Sequence, residues 1–190
     1  MKDDRWLHPL SRSITFALPV AGLGKPLLRE RVYCYELYHQ LRCILPIDAQ
    51  VVLTAEPDKQ GNPSFRKTHP VPDFIFHEPG SHVQNRAVIE VECRVDRRHL
   101  RKDLRTFRCL QEKGYRQFIL LLFGVKKVPW DVLSQVAEEV DMKLERVLVL
   151  LHAEAGSAAC IQAVPASRAP NEGMHPTAAK KRGGGWCPES

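Results

Sequence analysis

Apolar positions repeat at helical spacing over residues 27 to 45. Cys34, Tyr38, Leu41 and Leu45 fall on one stripe, with Leu37 and Ile44 beside it. An apolar residue every three or four positions lines one side of an α-helix. Pro26 and Pro46 bound the stretch, because proline fits a first turn and stops a helix beyond its end. Val32 and Tyr35 add apolar surface around the circumference, which predicts a well-buried helix whose segment Tyr33 to His39 packs the core. Glu30 lies at the edge of the apolar face, and Glu36 points more nearly to the other side.

The period then changes. Gln50 to Thr54, Pro72 to His77 and Ala87 to Cys93 are short runs that read as strands. A turn-rich loop follows the first of them, from Glu56 to Pro63. Helical spacing returns over residues 97 to 113, where Leu100, Leu104, Phe107 and Leu110 repeat and Gly114 supplies a stop. Gln117 to Phe123 is a continuous apolar run, the pattern of a strand covered on both faces. Trp130 to Met142 predicts a third helix, and Arg146 to Leu151 a last buried strand. The order α-β-β-β-α-β-α-β predicts an α/β domain with a mixed sheet flanked by helices.

Outside this region the pattern fades. Residues 1 to 25 read as a leader with poor periodicity. Within it, Gly22-Leu23-Gly24-Lys25-Pro26 fails the phosphate-loop pattern, since Pro19 and Pro26 stand where Gly and Ser or Thr are required. Residues 154 to 190 turn to Ala, Gly, Ser and Pro, which predicts a largely disordered tail and leaves one domain over residues 26 to 153. The 190 residues are 44% hydrophobic and 26% charged, an ordinary balance for a chain with a real core. Six scattered cysteines with no CxxC pair suit reduced thiols in the cytoplasm better than a zinc site or a disulfide framework. The apolar stretch Phe16 to Leu23 is too short for a membrane span and is broken by Pro19 and Gly22, so no membrane partner is expected.

Charge sharpens the picture. The formal net charge is +6, and residues 94 to 113 hold eight Lys or Arg against three Asp or Glu. On a helical projection Arg97, Arg98, Arg101, Arg105 and Arg108 fall within about a quarter turn, beside the apolar face. Such a stripe fits a phosphate backbone. It fits equally a solvated helix face partly paired with Asp103 and Glu112.

The strands carry acids at positions that alternation makes meaningful. Glu90 and Glu92 share one strand face. Asp73, Ile75 and His77 share another, and pairing of the two strands would let Asp73 approach Glu90. Crowded carboxylates force a pKa upward unless a cation intervenes. An all-oxygen site suits Mg²⁺ or Mn²⁺, which lowers the pKa of a bound water and neutralises a phosphoryl oxygen, as phosphodiester hydrolysis requires. Spacing alone favours a solvated strand face, its acids paired with Arg94 or Lys102. His77 is placed to support the acids, whereas His69, His82 and His99 read as surface residues.

Pro72-Asp73, a hairpin-length gap and Ile89-Glu90-Val91-Glu92 resemble the motif of the PD-(D/E)xK nuclease-like superfamily on its two strands. Glu30, Tyr33, Leu37 and Leu41 resemble its first-helix pattern. The helix with Lys102-Asp103-Leu104 and the buried strand after it continue the order, so the resemblance covers about residues 27 to 151. It implies a restriction-endonuclease-like α-β-β-β-α-β core and a metal-dependent nuclease acting on DNA, or on RNA. Asp73 and Glu90 would hold Mg²⁺ or Mn²⁺, with the carbonyl of Val91 completing the site. Glu30 would be the helix acid, with Glu36 as the second choice. Arg97, Arg98, Arg101, Lys102, Arg105 and Arg108 would meet nucleic acid, and a homodimer is a common working form for such small domains. One position departs: Glu92 stands where the family has Lys. Some restriction endonucleases resembling this family carry Glu there and remain active. A Glu serves as base or ligand but supplies no positive charge, which Arg94 or Lys102 would have to provide. Without that charge the domain reads as a noncatalytic module that binds nucleic acid or protein.

Overall fold

The computed structural model describes residues 30–44, 52–57, 71–78, 85–154 and 157–165. The expected leader, the Gly22–Pro26 stretch, His69, His82 and residues 166–190 lie outside them. Three helices are described: α1 (Glu30–Ile44), α2 (Arg97–Glu112) and α3 (Trp130–Glu139). Six strands join them: β1 (Val52–Ala55), β2 (Phe74–His77), β3 (Ala87–Glu92), β4 (Gln117–Phe123), β5 (Val147–His152) and β6 (Cys160–Gln162). The strands form one mixed sheet in chain order. β1, β2 and β3 make an antiparallel meander. β3, β4 and β5 run parallel, with α2 and α3 as the two crossovers, and β6 returns antiparallel to β5. The α/β expectation and the mixed sheet are both met.

Alternation along the strands splits the core into two layers. Ile75, Val88, Leu120, Leu122 and Val149 pack with Leu100, Leu104, Phe107 and Leu110 of α2 and Leu133 and Val136 of α3. Phe74, Phe76, Ile89, Val91, Leu121 and Phe123 face the other way, onto Tyr33, Leu37 and Leu41 of α1. β4 is therefore covered on both sides, as its unbroken apolar run predicts. Each fully buried Leu or Phe here contributes roughly 1.5–3 kcal/mol of transfer free energy. The Tyr33 ring also stacks on Phe123 at 4.0 Å, and its hydroxyl meets His152 Nδ1 at 2.8 Å.

Helix α2 starts on a side-chain cap. Asp96 accepts the amide N–H groups of Arg98 and His99 at 2.9 and 3.1 Å, satisfying donors that the first turn leaves over. It ends before Gly114, whose φ of 85° is costly for any residue with a Cβ. α3 stops at Glu139, short of the predicted Met142, because Asp141 takes φ 55° and reverses the chain.

Two expectations are corrected. α1 is not buried around its circumference: Tyr35 is 65% and Val32 40% exposed, and Glu36 and His39 are exposed with them. Only the Tyr33–Leu37–Leu41 stripe meets the sheet, since a helix on the outside of a layered fold has one partner. The second correction concerns the low-periodicity tail. Cys160–Gln162 forms β6, because Val149, Leu150 and Leu151 present edge hydrogen-bonding groups that a passing extended chain satisfies. No helix among the described residues is long and apolar enough to cross a membrane. No disulfide joins the described cysteines.

Candidate acidic site at the carboxyl end of the third strand

The register of β2 on β3 pairs Phe74 with Ile89, so one step further sets Asp73 opposite Glu90. Asp73 is fixed from two sides. Its carbonyl accepts the Glu56 N–H at 2.8 Å, and its carboxylate Oδ2 accepts the Val91 N–H at 2.7 Å. Glu90 sits inside β3, on the face toward α2, at 1% exposure. Neither of its carboxylate oxygens has a hydrogen bond of full geometry; the Thr106 hydroxyl and the Asp73 carboxyl are its polar neighbours. Glu92 is buried as well, and its Oε1 accepts the Arg94 N–H at 2.6 Å in the turn that closes the strand.

Two helices bring further acids. α1 contributes Glu30 from the opposite layer. At the strand end, where both sheet faces come within reach, Glu30, Glu92 and Cys93 hold ligand atoms within 4.8 Å of one another. From α2 comes Asp103, at 1% exposure, with Oδ2 lacking a hydrogen bond and Oδ1 3.7 Å from Lys102 Nζ. Thr106, one turn on, is buried and donates to the Lys102 carbonyl at 3.1 Å.

The electrostatics follow from this crowding. Burial pushes Glu90 well above the usual carboxylate range, and the charges of Asp73 and Asp103 push it further. Asp103 rises to about 8, chiefly through burial, with Lys102 opposing and Glu92 and Asp73 adding to the rise. Glu30 rises to about 7 through burial, then Glu92 and Asp73. Burial also raises Asp73, against the Val91 N–H and Lys102, which favour its charged form. For Lys102, burial pulls downward, but Glu90, Asp103, Asp73 and Glu30 outweigh it and hold its ammonium more firmly protonated. Four carboxyl groups thus share one nearby ammonium, and crowded carboxylates gain from any further cation.

Asp73, Glu90, Glu92, Glu30 and Lys102, each singled out by the sequence, are gathered at this place. Three other candidates are not. Glu36 is exposed on the far side of α1 and accepts from Gln40 at 2.6 Å. His77 lies four residues along from Asp73, about 13 Å at ~3.3 Å per residue, and its Nε2 meets Thr54 Oγ1 at 2.9 Å on β1. Arg94 follows the strand end with its side chain exposed to solvent, its charge acting on Cys93.

The basic stripe of α2 divides in two. Arg97 pairs with Glu139 and donates to Gln135 at 2.9 Å; Arg101 donates twice to Glu139 Oε2, at 2.8 and 3.0 Å. Arg108 pairs with Glu112 at 2.8 Å and Asp141 at 3.6 Å. These three arginines tie α2 to the α3 side of the domain. Arg98 and Arg105 are exposed, and with Lys102 they follow i, i+4, i+7 spacing along the flank that borders the acids.

The sequence gives no site role to Asp103, Thr106 or Cys93. A signal for Asp103 exists: it stands three residues after Leu100 and four before Phe107, inside the apolar stripe of the helix. An acid there is buried at a cost and needs a partner. Among the described residues the ligand atoms that converge within 4.8 Å are those of Glu30, Glu92 and Cys93; Asp73, Glu90 and Asp103 do not form such a group. Glu90 and Asp103 offer buried carboxylate oxygens with no protein hydrogen bond of full geometry, the hard ligands that Mg²⁺ or Mn²⁺ takes. The Glu30–Glu92–Cys93 group mixes oxygen with sulfur and suits a softer ion. No protein-family model matches the chain, and no curated protein is significantly similar to it.

Proposed function

We propose that this protein is a metal-dependent, nuclease-like phosphodiesterase acting on DNA, or on RNA. One observation carries the reading: Glu90 is buried beside Asp73 with both carboxylate oxygens lacking a hydrogen bond of full geometry. A protein does not retain such a group for stability, because a buried polar group without a full hydrogen bond costs ~1–3 kcal/mol even when neutral, and more when ionised. The resemblance to the PD-(D/E)xK superfamily supports the same reading, since an antiparallel meander followed by a helix and a parallel strand is the order that a restriction-endonuclease-like core requires.

In this reading Asp73 and Glu90 hold Mg²⁺ or Mn²⁺. The bound ion supplies a water of lowered pKa and a counter-charge for phosphoryl oxygen. The Val91 N–H orients Asp73 by fixing Oδ2. Glu30 borders the site from α1 and holds a proton near neutrality, so it can exchange one with water at the site. Lys102 supplies the positive charge that Glu92 does not. Its stem leaves α2 beside the acids, and its side chain is more than half exposed, where a substrate phosphate could reach it. Arg98 and Arg105 extend that positive flank along the helix and would meet the backbone of a nucleic acid.

A second reading is a noncatalytic module that binds nucleic acid or protein. It is favoured by Glu92, whose Oε1 is already taken by the Arg94 N–H and which stands where the family's Lys would be. Incubating wild type and Asp73→Ala with supercoiled plasmid and single-stranded oligonucleotides, in Mg²⁺, Mn²⁺ or EDTA, separates the two. Cleavage by wild type alone, and only with metal, is the expected result. Cleavage that survives in Asp73→Ala would sink the assignment, and binding without cleavage would establish the second reading.

A further inference from the structure

We infer that Glu30 of α1 and Glu92 and Cys93 at the end of β3 bind a Zn²⁺ ion through two carboxylate oxygens and a thiolate, with water as the fourth ligand. The inference goes beyond the phosphodiesterase reading and does not rest on it. Its ligands exclude Asp73 and Glu90, so either can fail alone.

Geometry carries it. One ligand atom from each of the three side chains lies within 4.8 Å of the others. Oxygen and sulfur ligands of a tetrahedral Zn²⁺ stand about 3.4–3.6 Å apart, from bond lengths of ~2.1 and ~2.3 Å. Each pair therefore closes by at most about 1.4 Å when the ion enters. The fold explains the convergence. Glu30 belongs to the first turn of α1, the helix that lies over this side of the sheet. Cys93 keeps the α1 side and packs against the same core layer as Cys34 and Tyr38. Glu92 leaves the opposite face, as strand alternation requires. β3 stops there, and the bend at Cys93 lets the two faces meet.

The state of Glu92 points independently to a cation. Its side chain is aimed into the group at 2% exposure. Oε1 accepts the Arg94 N–H, and Oε2 has no hydrogen bond among the described residues. Neither Glu92 nor Glu30 forms an ion pair with a described residue. Two carboxylates this close repel unless a cation lies between them. Cys93 decides which cation. Mg²⁺ and Ca²⁺ take oxygen ligands, whereas a sulfur in the set selects a softer ion such as Zn²⁺. As a small hydrophobe Cys93 would fill its place on the α1 side, but packing gives no reason for a thiol beside two acids. The bound ion would tie the start of α1 to the end of β3, two segments far apart in sequence.

The test is a titration of the full chain with Co²⁺ and then Zn²⁺, because a thiolate ligand gives Co²⁺ a charge-transfer absorption band. Wild type, Cys93→Ser, Glu30→Gln and Cys43→Ser are compared. The last is included because Cys43 Sγ lies 3.9 Å from His39 Nε2 on the exposed side of α1, a rival pair of ligands. Wild type should bind Co²⁺ with the thiolate band, and Zn²⁺ should displace it. Cys93→Ser should lose the band, and Glu30→Gln should weaken Zn²⁺ by at least ~10-fold. Cys43→Ser should match wild type. In parallel, Zn²⁺ is titrated into wild type carrying ¹³C-labelled cysteine, and the Cys93 Cβ resonance should move with the first equivalent. This arm needs no variant and decides the matter if Cys93→Ser or Glu30→Gln does not fold. A stationary Cys93 resonance, a band that survives in Cys93→Ser, wild-type affinity in Glu30→Gln, or no Zn²⁺ binding by wild type overturns the inference. So does a loss confined to Cys43→Ser, which would put the ion on the pair in α1.

Discussion

Replacing Glu90 with Gln keeps the side-chain shape and removes its charge, and it should stabilise the metal-free protein at alkaline pH. Glu90 is 1% exposed, with neither oxygen in a hydrogen bond of full geometry and with Asp73 and Asp103 as charged neighbours. A buried polar group without a partner costs ~1–3 kcal/mol, and a charged one more. The sign of the pH dependence follows from linkage. Burial raises Glu90 above its ordinary carboxylate range, and Asp103 reaches about 8. Between the unfolded and folded pKa values the native state holds protons that the unfolded state has released, so stability falls as pH rises. At pH 8 in chelator the Gln variant should therefore exceed wild type by about 1–3 kcal/mol, or roughly 3–10 °C in Tm for a domain of this size. At pH 5 wild-type Glu90 already carries its proton, and the gap should shrink to within ~0.5 kcal/mol. Urea melts at both pH values, with EDTA present, measure this directly. Adding Mg²⁺ should stabilise wild type and leave the variant unchanged, because only a ligand bound to the native state shifts the equilibrium. A Gln variant that is no more stable than wild type at pH 8, or whose advantage persists undiminished at pH 5, would refute the reasoning.

The divided basic stripe makes a second prediction. Arg98→Ala with Arg105→Ala should lower the salt slope of nucleic-acid binding by up to about two, near 0.9 for each phosphate no longer neutralised, with Tm unchanged. Arg97→Ala with Arg101→Ala should instead lower stability by about 1 kcal/mol and keep the slope, because those side chains hold Glu139. Fluorescence anisotropy across salt concentrations, with a thermal melt of each variant, reads both, and equal effects from the two pairs would contradict the division. A third prediction concerns the core. Phe107 is fully buried, with its ring 5.4 Å from that of Phe118, so Phe107→Ala should cost ~3–5 kcal/mol in a denaturant melt. A loss below ~1 kcal/mol would mean that α2 is not seated on the sheet as described.

Local chemistry made most of the elements legible in the chain. The Leu100, Leu104, Phe107, Leu110 repeat and Gly114 marked α2, and the unbroken run from Gln117 to Phe123 marked β4, since periodicity and stop signals act over a few residues. Asp73, Glu90 and Glu92 stood out for the same reason, as acids where alternation placed them on a strand face. Long-range pairing decided the rest. Only the β2–β3 register sets Asp73 opposite Glu90, and only the packing of α2 on that face turns Asp103 into a buried neighbour of both. Arg97, Arg101 and Arg108 looked equivalent to Arg98 and Arg105 on a helical projection, because an isolated helix does not reveal which flank its neighbour will cover. Tyr35 looked like core for a similar reason: an apolar side chain records what it could bury, whereas the sheet offers α1 a single face. The weak signal at Cys160–Gln162 became a strand through the exposed edge of β5, a partner whose position no local pattern encodes. The chain alone therefore determined its helices, most of its strands and four of its clustered acids. Tertiary structure decided which charges meet, because that depends on contacts between segments far apart in sequence.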